Sequence, residues 1–369
     1  MPAPEGRRGI LNDKLRLVMA NAAPVTPPPE APVLLTGATG YLGRRVLELL
    51  LESGYRVRAL VRRPAPELEA LGAETAPGDL GDEVSLDRAA RGVSAVVHCA
   101  AKTGVWGPAE EYMSANFAGT LNMLEAARGA GARVFVHASS PSAVYDGRDL
   151  AGINEDYAAL PPPRFPYARS KALAEREVLA AASPGFRTAA LRPHLVWGPG
   201  DTHFLPRLVS LARAGRLRLF KGASYTVDPT YIDDAARAHV LALRSLAASG
   251  RASGKAFFLG QGEPVDSRDF INRLLAAAGA PPVAVSVHPA VGRLFARVAE
   301  VAWKILARGG EPPLTYFTAL QLTTSHYFDL SRARELLGYE PQVSQAEGMR
   351  RLAESLVAGG GPGGGNAGG

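Results

Sequence analysis

The residues of this sequence best suited to proton transfer are a tyrosine and a lysine four positions apart, Tyr167 and Lys171. Positions i and i+4 of an α-helix share a face, with Cβ atoms about 6 Å apart. A fixed ammonium stabilises a neighbouring phenolate and lowers a tyrosine pKa that is ordinarily about 10. Such a phenol can pass a proton to or from a carbonyl or alcohol oxygen. The pair predicts an acid/base site; the alternative is an aromatic residue that stands beside a solvated lysine by chance.

Short apolar runs alternate with helical patterns around this pair. Strands are predicted over 32–36, 56–61, 95–99, 133–138 and 188–192, and helices over 41–53 and 110–128 and around Tyr167 and Lys171. This alternation is typical of a parallel, doubly wound sheet. We therefore expect an α/β fold of Rossmann type with a smaller, discontinuous C-terminal substrate-binding lobe.

The chain divides into four stretches. Residues 1–30 end in a proline-rich spacer and residues 356–369 are mostly glycine, so both are predicted to be flexible. Residues 31–195 are expected to hold the nucleotide-binding core, with later returns near 225–260. Residues 196–355 are expected to form mainly the substrate-binding lobe.

Composition excludes several classes of protein. The net charge of +6 comes from scattered basic residues, so nucleic acid is not expected as a partner. A single cysteine, Cys99, rules out an intrachain disulfide, and the seven histidines lack a ligand spacing, so no metal site is predicted. Charged residues at 13, 14 and 16 interrupt the apolar N-terminal stretch, which argues against export. We expect a cytoplasmic location.

A glycine-rich turn follows the first strand and opens the next helix. Glycine lets the backbone turn tightly and approach a pyrophosphate, which the helix N-terminus attracts. The spacing is Gly-x2-Gly-x2-Gly, and its strand–turn–helix setting predicts a dinucleotide site. The residues expected to contact the cofactor here are Gly37, Thr39, Gly40, Tyr41, Leu42 and Gly43.

The end of the second strand is expected to read the adenosine ribose of the cofactor. An acidic residue there is typical of NAD, whereas arginine accommodates the 2′-phosphate of NADP. Here Arg62 and Arg63 follow the strand, with no acid before Glu67. We predict NADP(H) in preference to NAD(H); the alternative is a solvated basic turn. Asp79 and Leu80, after the next strand, are expected near the adenine.

Three serines follow the strand predicted over 133–138. Ligands of an open parallel sheet bind at the carboxyl ends of its strands. A serine there can hydrogen-bond a substrate oxygen and orient it towards Tyr167. Counting from the strand end favours Ser140 over Ser139 or Ser142, although the run is also a common turn composition. The absence of a Gly-x-Ser-x-Gly elbow argues against a serine hydrolase.

Across about residues 31–355 the sequence resembles the extended short-chain dehydrogenase/reductase family. The resemblance rests on Gly37-x2-Gly40-x2-Gly43, Asp79, Ala100-Ala101, Asn116, the serine-rich strand end, Tyr167-x3-Lys171 and Leu191-Arg192-Pro193. Residues 101–107, 140–142, 197–201 and 312–315 resemble the 3β-hydroxysteroid dehydrogenase-like branch, and within it the bacterial 2-alkyl-3-oxoalkanoate reductases of olefin biosynthesis.

The resemblance implies an NADP(H)-dependent oxidoreductase that interconverts a 3-oxo and a 3-hydroxy group on a lipid-like acid or sterol. Tyr167 would be the acid/base, Lys171 would lower its pKa and hold the nicotinamide ribose, and Ser140 would polarise the substrate oxygen. Asn116 would support the site, with further cofactor contacts from Ala100, Ala101, Lys102 and Pro193. His194, beside Pro193, is interpreted as a hydrogen-bonded loop histidine.

Two other functions fit parts of the pattern. One is a sugar-nucleotide epimerase or dehydratase on the same fold, which would keep NAD tightly bound. The other is a non-catalytic module that senses NADP. Such modules commonly lose the tyrosine or the lysine, so the presence of both Tyr167 and Lys171 favours an enzyme.

One helical pattern in the second lobe has an apolar and a charged side. Apolar residues recur at 291, 294, 295, 298, 302, 305 and 306, opposite Arg293, Arg297, Glu300, Lys304 and Arg308. We predict a surface helix over 291–308 that packs over the substrate cleft; the alternative is contact with a membrane surface or a pathway enzyme. Trp106, Trp197 and Phe204 are predicted to line an apolar pocket, and we expect a homodimer.

Overall fold

The computed structural model describes residues 30–358 except 223, 284 and 307–309, so most of the flexible ends predicted from sequence lie outside the described residues. The strands are β1 (Val33–Thr36), β2 (Val57–Val61), β3 (Glu74–Pro77), β4 (Ala95–His98), β5 (Val134–Ala138), β6 (Leu150–Ile153), β7 (Arg187–Pro193), β8 (Leu219–Phe220), β9 (Thr226–Val227), β10 (Lys255–Leu259), β11 (Val265–Asp266), β12 (Ser286–Val287) and β13 (His326–Phe328). The helices are α1 (Tyr41–Glu52), α2 (Pro66–Glu69), α3 (Glu83–Ala90), α4 (Ala109–Tyr112), α5 (Gly119–Gly129), α6 (Pro166–Ala180), α7 (Phe204–Arg213), α8 (Ile232–Ala248), α9 (Ser267–Ala277), α10 (Pro289–Ile305), α11 (Tyr316–Gln321), α12 (Ser331–Leu337) and α13 (Gln345–Ala358). A π-helical segment (Met113–Ala118) joins α4 to α5, and a 3₁₀ turn (Pro141–Val144) follows β5.

Seven parallel strands form the central sheet, in the order β10-β7-β5-β4-β1-β2-β3. The prediction of a doubly wound parallel sheet is confirmed. The strand order reverses between β1 and β4, and ligands of such sheets bind in the crevice beyond the strand ends at that point. Every residue of β1 and of β4 is buried, as expected where helices cover both faces.

Two apolar layers fix the helices to the sheet. On one face α1 and α8 pack through Val46, Leu50 and Leu243 onto Leu35 and its neighbours. On the other face α3, α5 and α6 contribute a second core, which contains Leu86, Met123 and Val178 together with Leu34. Adjacent residues of β1 therefore point into opposite layers, which is the period of two expected of a strand.

The second lobe has its own core and two small sheets, β11-β9-β13-β6 and β12-β8. Trp197 lies in this core with 1% of its surface exposed. The centroid of its ring lies 5.2 Å from that of Tyr231 and 5.3 Å from that of Phe270. The prediction that Trp197 lines a pocket is therefore wrong, because aromatic neighbours enclose its ring. None of the described helices is long and apolar enough to cross a membrane.

Candidate active site

The glycine turn between β1 and α1 is packed too closely to accept side chains. Gly37 has φ +75°, and a Cβ there would lie 2.6 Å from the Ala100 nitrogen. A Cβ on Gly43 would lie 2.1 Å from the Gly37 carbonyl oxygen. Gly40 caps α1 without a side-chain hydrogen bond, so no side-chain oxygen occupies the positive end of the helix. This narrow cradle, which also presents Tyr41 and Leu42 in the first turn, fits a pyrophosphate.

The end of β2 borders a cleft beside this turn. Arg62 and Arg63 directly follow β2 and are exposed. Thr39 and Glu67 line the same cleft. Two cations and one carboxylate therefore face the position where the adenosine ribose of a dinucleotide lies in a doubly wound sheet.

Asp79 and Leu80 lie beyond the end of β3, at the edge of the sheet. The Asp79 carboxylate accepts a hydrogen bond from the Gly81 backbone at 2.8 Å. Leu80 packs against Gly119, where a Cβ would come within 2.8 Å of the Leu80 Cβ. Its carbonyl accepts from Asn122 Nδ2 at 2.8 Å, so α5 holds this turn in place.

Asn116 connects the loop after β4 to helix α6. Its Oδ1 accepts from the Lys102 backbone nitrogen at 2.7 Å, and its Nδ2 donates to the Lys102 carbonyl at 3.0 Å. The same Nδ2 donates to Ser170 Oγ at 3.0 Å. Nearer the strand, the Ala100 nitrogen donates to Thr36 Oγ1 at 3.1 Å, and Ala101 lies between these anchored residues. Asn116 therefore fixes the loop 100–102 against the helix that carries Tyr167.

The predicted helix 110–128 is interrupted at this position. The π-helical segment holds Asn116 in its middle, and the asparagine is 1% exposed. Such turns insert one extra residue into a helix and are frequent at functional sites. The periodicity of apolar residues does not reveal this interruption.

Tyr167 lies in the first turn of α6 and faces the serine-rich end of β5. Its phenol makes a hydrogen bond with the Ser140 side chain, and its ring centroid lies 6.3 Å from that of Tyr112. Burial raises the pKa of Tyr167, and the hydrogen bond with Ser140 opposes that rise. The prediction of a lowered pKa is wrong for this arrangement, because the desolvation of the phenolate outweighs the stabilising contacts.

The three serines have different hydrogen-bond partners. Ser139 Oγ donates to Glu175 Oε2 at 2.6 Å, and Glu175 forms a buried ion pair with Arg192. Ser142 Oγ donates to Ser140 Oγ at 3.0 Å. The Ser140 hydroxyl accepts that bond and keeps its own hydrogen for another acceptor. Ser140 is thus the serine available beside Tyr167, whereas Ser139 belongs to the buried ion pair.

Lys171 points into the sheet, beneath the tyrosine. It is 2% exposed, and its Nζ donates to the Ala138 carbonyl at 2.5 Å and lies 3.3 Å from His137 Nε2. Burial lowers the pKa of Lys171 to about 8, although Glu175 opposes the shift. Lys171 and Tyr167 share one helix, as the spacing predicts, but the ammonium is directed to the end of β5.

Two buried histidines below Lys171 were not identified as site residues from sequence. His137 stacks on His98 with ring centroids 5.5 Å apart, and His98 Nδ1 lies 2.8 Å from Thr36 Oγ1. Burial lowers the pKa of both imidazoles, and the nearby Lys171 lowers them further. The available signal is a histidine near the end of each of two otherwise apolar strands, β4 and β5.

His194 follows Pro193, the last residue of β7. Its Nδ1 donates to the Asp228 carbonyl at 3.2 Å, and its backbone nitrogen donates to the Leu259 carbonyl at 3.3 Å. Burial lowers the pKa of His194 to about 4, so its ring is neutral at physiological pH. These bonds anchor Pro193 beside the adjacent strand.

The fold brings the predicted residues together in two groups. Ser140, Tyr167, Lys171 and Asn116 meet beyond the ends of β4 and β5. The glycine turn, with Arg62, Arg63 and Asp79, lies beyond the ends of β1, β2 and β3. The strand-order reversal separates the two groups, so an extended dinucleotide could lie across the crevice with one end at each.

Comparison with known proteins identifies a matching family, related enzymes and structures of similar fold. Residues 33–258 match the family described as "NAD dependent epimerase/dehydratase family". The chain is 43% identical over 334 residues to a 2-alkyl-3-oxoalkanoate reductase of Stenotrophomonas maltophilia, which covers 88% of this chain and 99% of that protein. It is 31% identical over 330 residues to the decarboxylating sterol-4-alpha-carboxylate 3-dehydrogenase of Mus musculus, covering 87% and 89% of the two chains. The structure of MoeE5 with UDP-glucuronic acid and NAD superposes with a TM-score of 0.68 at 28% identity, covering 89% of this chain and 99% of MoeE5.

Proposed function

The chain belongs to the NAD dependent epimerase/dehydratase family and is an oxidoreductase of the extended short-chain dehydrogenase/reductase type; from this premise we propose that it interconverts the 3-oxo and 3-hydroxy groups of a lipid-like acid with NADP(H). The observation that carries the proposal is the 43% identity to a 2-alkyl-3-oxoalkanoate reductase along almost the whole of that protein. A 3β-hydroxysteroid is the neighbouring substrate class, supported by the likeness to a sterol dehydrogenase.

The residues that would hold the cofactor are those of the cradle and the adjoining cleft. The glycine turn and the first turn of α1 would bind the pyrophosphate, and Arg62 and Arg63 would bind a 2′-phosphate. Lys171 would have to turn its ammonium away from the Ala138 carbonyl to hold the nicotinamide ribose, and Pro193 would adjoin the nicotinamide. A bound nicotinamide supplies the hydride, which no side chain of the protein can supply.

Tyr167 and Ser140 would handle the proton. Because burial raises the pKa of Tyr167, its phenol is protonated at neutral pH and suited to donate. In the direction of reduction, its proton would pass to the oxygen of the substrate carbonyl while Ser140 donates a hydrogen bond to that oxygen. Asn116 would act indirectly, since its bonds fix loop 100–102 and α6.

A sugar-nucleotide epimerase or dehydratase is the second candidate, favoured by the superposition on MoeE5. Both would bind a dinucleotide, so binding of the cofactor alone does not separate them. Turnover of a defined substrate does.

The decisive experiment is a substrate panel with the purified full chain and both cofactors. The panel contains a 2-alkyl-3-oxo acid with its 3-hydroxy partner, a 3β-hydroxysteroid and a UDP-sugar. We expect turnover of the alkyl acids, and loss of about 10²–10⁴-fold in kcat for Tyr167→Phe. Tyr327→Phe, which removes a hydroxyl from β13, is the matched control and should leave kcat unchanged. Turnover of the UDP-sugar alone, or full activity of Tyr167→Phe, would refute the proposal.

The cofactor preference has a separate test. Arg62→Ala/Arg63→Ala should raise the KM for NADPH by about tenfold or more, because each cation would contact the 2′-phosphate. The KM for NADH should change little, and Arg91→Ala, at another exposed arginine, should change neither. A wild-type chain that binds NADH more tightly than NADPH would contradict the proposed preference.

The assembly and location of the protein are further proposals. We keep the homodimer and the cytoplasmic location expected from the sequence. Light scattering would test the homodimer, and a monomer would contradict it. Cell fractionation would test the cytoplasmic location, and a secreted protein would contradict that.

A further inference from the structure

Helix α10 presents its large apolar residues to solvent. The exposed residues are Val291, Leu294, Phe295, Val298, Val301 and Ile305, between 52% and 77% exposed. They lie at i, i+3, i+4, i+7, i+10 and i+14 from Val291 and form one continuous stripe, here called the α10 face. The predicted surface helix is present as α10, but its apolar stripe faces solvent instead of covering the substrate cleft. Arg308, the last residue of the predicted helix, lies outside the described residues.

The inner side of α10 explains this orientation. Its buried residues are small: Gly292, Ala296 and Ala299. A Cβ on Gly292 would lie 2.1 Å from Phe220 Cε1, so the helix backbone sits directly on that ring. Only this narrow side fits the available space, which leaves the larger side chains outside.

Polar bonds hold the helix in the same orientation. Arg293 Nε donates to Thr323 Oγ1 at 2.8 Å, and its Nη2 donates to the Thr323 carbonyl at 3.0 Å. Glu300 Oε1 accepts from the Tyr316 backbone nitrogen at 2.7 Å. Rotation of α10 to bury the α10 face would break these bonds, so the exposure is built into the fold.

Exposed cations stand beside the α10 face. The guanidinium carbons of Arg297 and Arg164 lie 4.4 Å and 5.6 Å from the centroid of the Tyr316 ring, and Lys304 Nζ lies 5.6 Å from that of a Trp106 ring. Within the described part of the chain, no carboxylate lies within 4.0 Å of any of the three cations. Their charges are therefore available to an external anion.

We propose that the α10 face is a docking surface for an anionic phospholipid bilayer. Aliphatic residues would enter the boundary of the acyl chains, while Arg164, Arg297 and Lys304 would meet the lipid phosphates. Stacking on aromatic rings keeps these cations at the edge of the apolar stripe, where the polar and apolar zones of a bilayer meet. The helix lies on the membrane and does not span it.

A second copy of the chain fits this surface less well. A two-fold interface places the same patch on both sides. The only acidic residue of α10 is Glu300, which already bonds to Tyr316, so two α10 helices would meet with exposed cations on both and no free carboxylate on either helix. Like charges brought together in this way oppose association.

The surface lies close to the helix that carries Tyr167. The ring of Tyr316 lies 6.5 Å from that of Phe165, which caps α6 two residues before Tyr167. A lipid substrate could thus pass from the bilayer to the site over a short path. This last point rests on the proposed function, whereas docking itself does not.

The test is co-sedimentation of the full chain with vesicles of phosphatidylcholine, with and without phosphatidylglycerol. We expect binding to the anionic vesicles that weakens as salt is added. Leu294→Glu/Val298→Glu and Arg297→Glu/Lys304→Glu should each reduce the partition coefficient by about tenfold or more. Val84→Glu, at a valine 76% exposed on α3, is the matched control and should bind as the wild type does.

Activity of each variant on a short, water-soluble substrate should stay at the wild-type level and confirm folding. Vesicle binding is measured without turnover, so failure of docking is distinct from failure of the proposed function. Binding unaffected by both double variants, or no binding to anionic vesicles, would overturn the proposal. A wild-type dimer that becomes monomeric in Leu294→Glu/Val298→Glu, with vesicle binding unchanged, would show instead that this face joins two copies.

Discussion

Removal of one partner of the buried ion pair between Glu175 and Arg192, beside Ser140, should destabilise the fold strongly. Both side chains are 5% exposed. Glu175 accepts from Arg192 Nη2 at 2.5 Å, from Arg192 Nε at 2.9 Å and from Ser139 Oγ at 2.6 Å. The change Glu175→Gln keeps the shape and removes the charge, which leaves a guanidinium buried without a counterion. Removal of one partner of such a pair costs about 3–5 kcal/mol.

Scanning calorimetry on the full chain measures this effect. In a chain of this size about 1 kcal/mol corresponds to roughly 1.3 °C in Tm, so Tm should fall by roughly 4–7 °C. The matched control is Glu335→Gln, the same chemical change in the ion pair with Arg251, where the side chains are 69% and 65% exposed. Exposed pairs contribute about 0–1 kcal/mol, so the control should stay within about 1.5 °C of the wild type.

A double variant separates the charge from the shape of the site. Glu175→Leu/Arg192→Leu removes both charges and should be more stable than Glu175→Gln, because no buried charge is left unpaired. Equal Tm values for Glu175→Gln and Glu335→Gln, or a double variant less stable than Glu175→Gln, would refute the reasoning.

Three further predictions concern the cradle, the buried lysine and acid stability. Gly43→Ala places a Cβ 2.1 Å from the Gly37 oxygen, so the cradle must distort. Calorimetric titration should then show dinucleotide binding weakened at least about tenfold, and an unchanged affinity would contradict this prediction. Burial lowers the pKa of Lys171 from 10.5 to about 8, so the folded chain loses that proton first as pH rises, and the stability of the wild type increases between these values. Urea denaturation measures the free energy of unfolding of Lys171→Met minus that of the wild type. This difference should fall from about pH 7 to about pH 10, because only the wild type gains stability there, and a difference that rises would contradict the reasoning. Burial lowers the pKa of His98 to about 3 and that of His239 to about 4. The unfolded chain therefore binds more protons than the folded chain below about pH 6.5. Near pH 5 the two histidines together should lower the free energy of unfolding by about 4 kcal/mol. Circular dichroism should detect acid unfolding above about pH 4, and a signal unchanged down to that pH would refute this.

Much of the nucleotide-binding core could be predicted from the sequence because its signals are local. The continuous apolar runs of β1, β4 and β5 mark strands buried on both faces, and their observed ends lie within one residue of the predicted ones. The glycine turn is likewise local, since its spacing and its position between a strand and a helix are visible in seven residues. The carboxyl ends of parallel strands meet at one edge, so the serines could be placed beside Tyr167.

Features that depend on tertiary contacts could not be predicted in this way. Glu175 and Arg192 are 17 positions apart on different elements, and only the packing of α6 on the sheet pairs them. The direction of Lys171 depends on the Ala138 carbonyl and His137 below it. The α10 face was misassigned because periodicity identifies an apolar side without showing which side the protein covers; the small residues on its other side were the missed signal.

The π-helical segment over Met113–Ala118 also limits how this chain can change in length. A residue removed from it would let the segment relax to a regular α-helix, since a π turn holds one residue more than an α turn. The regular helix would hold one residue fewer in about the same turn, so the side chains within the segment would take new positions around the helix axis. Asn116 could then no longer reach both Lys102 and Ser170. Insertions and deletions should therefore be far rarer within this segment than in the loops of the second lobe, whatever substitutions it accepts.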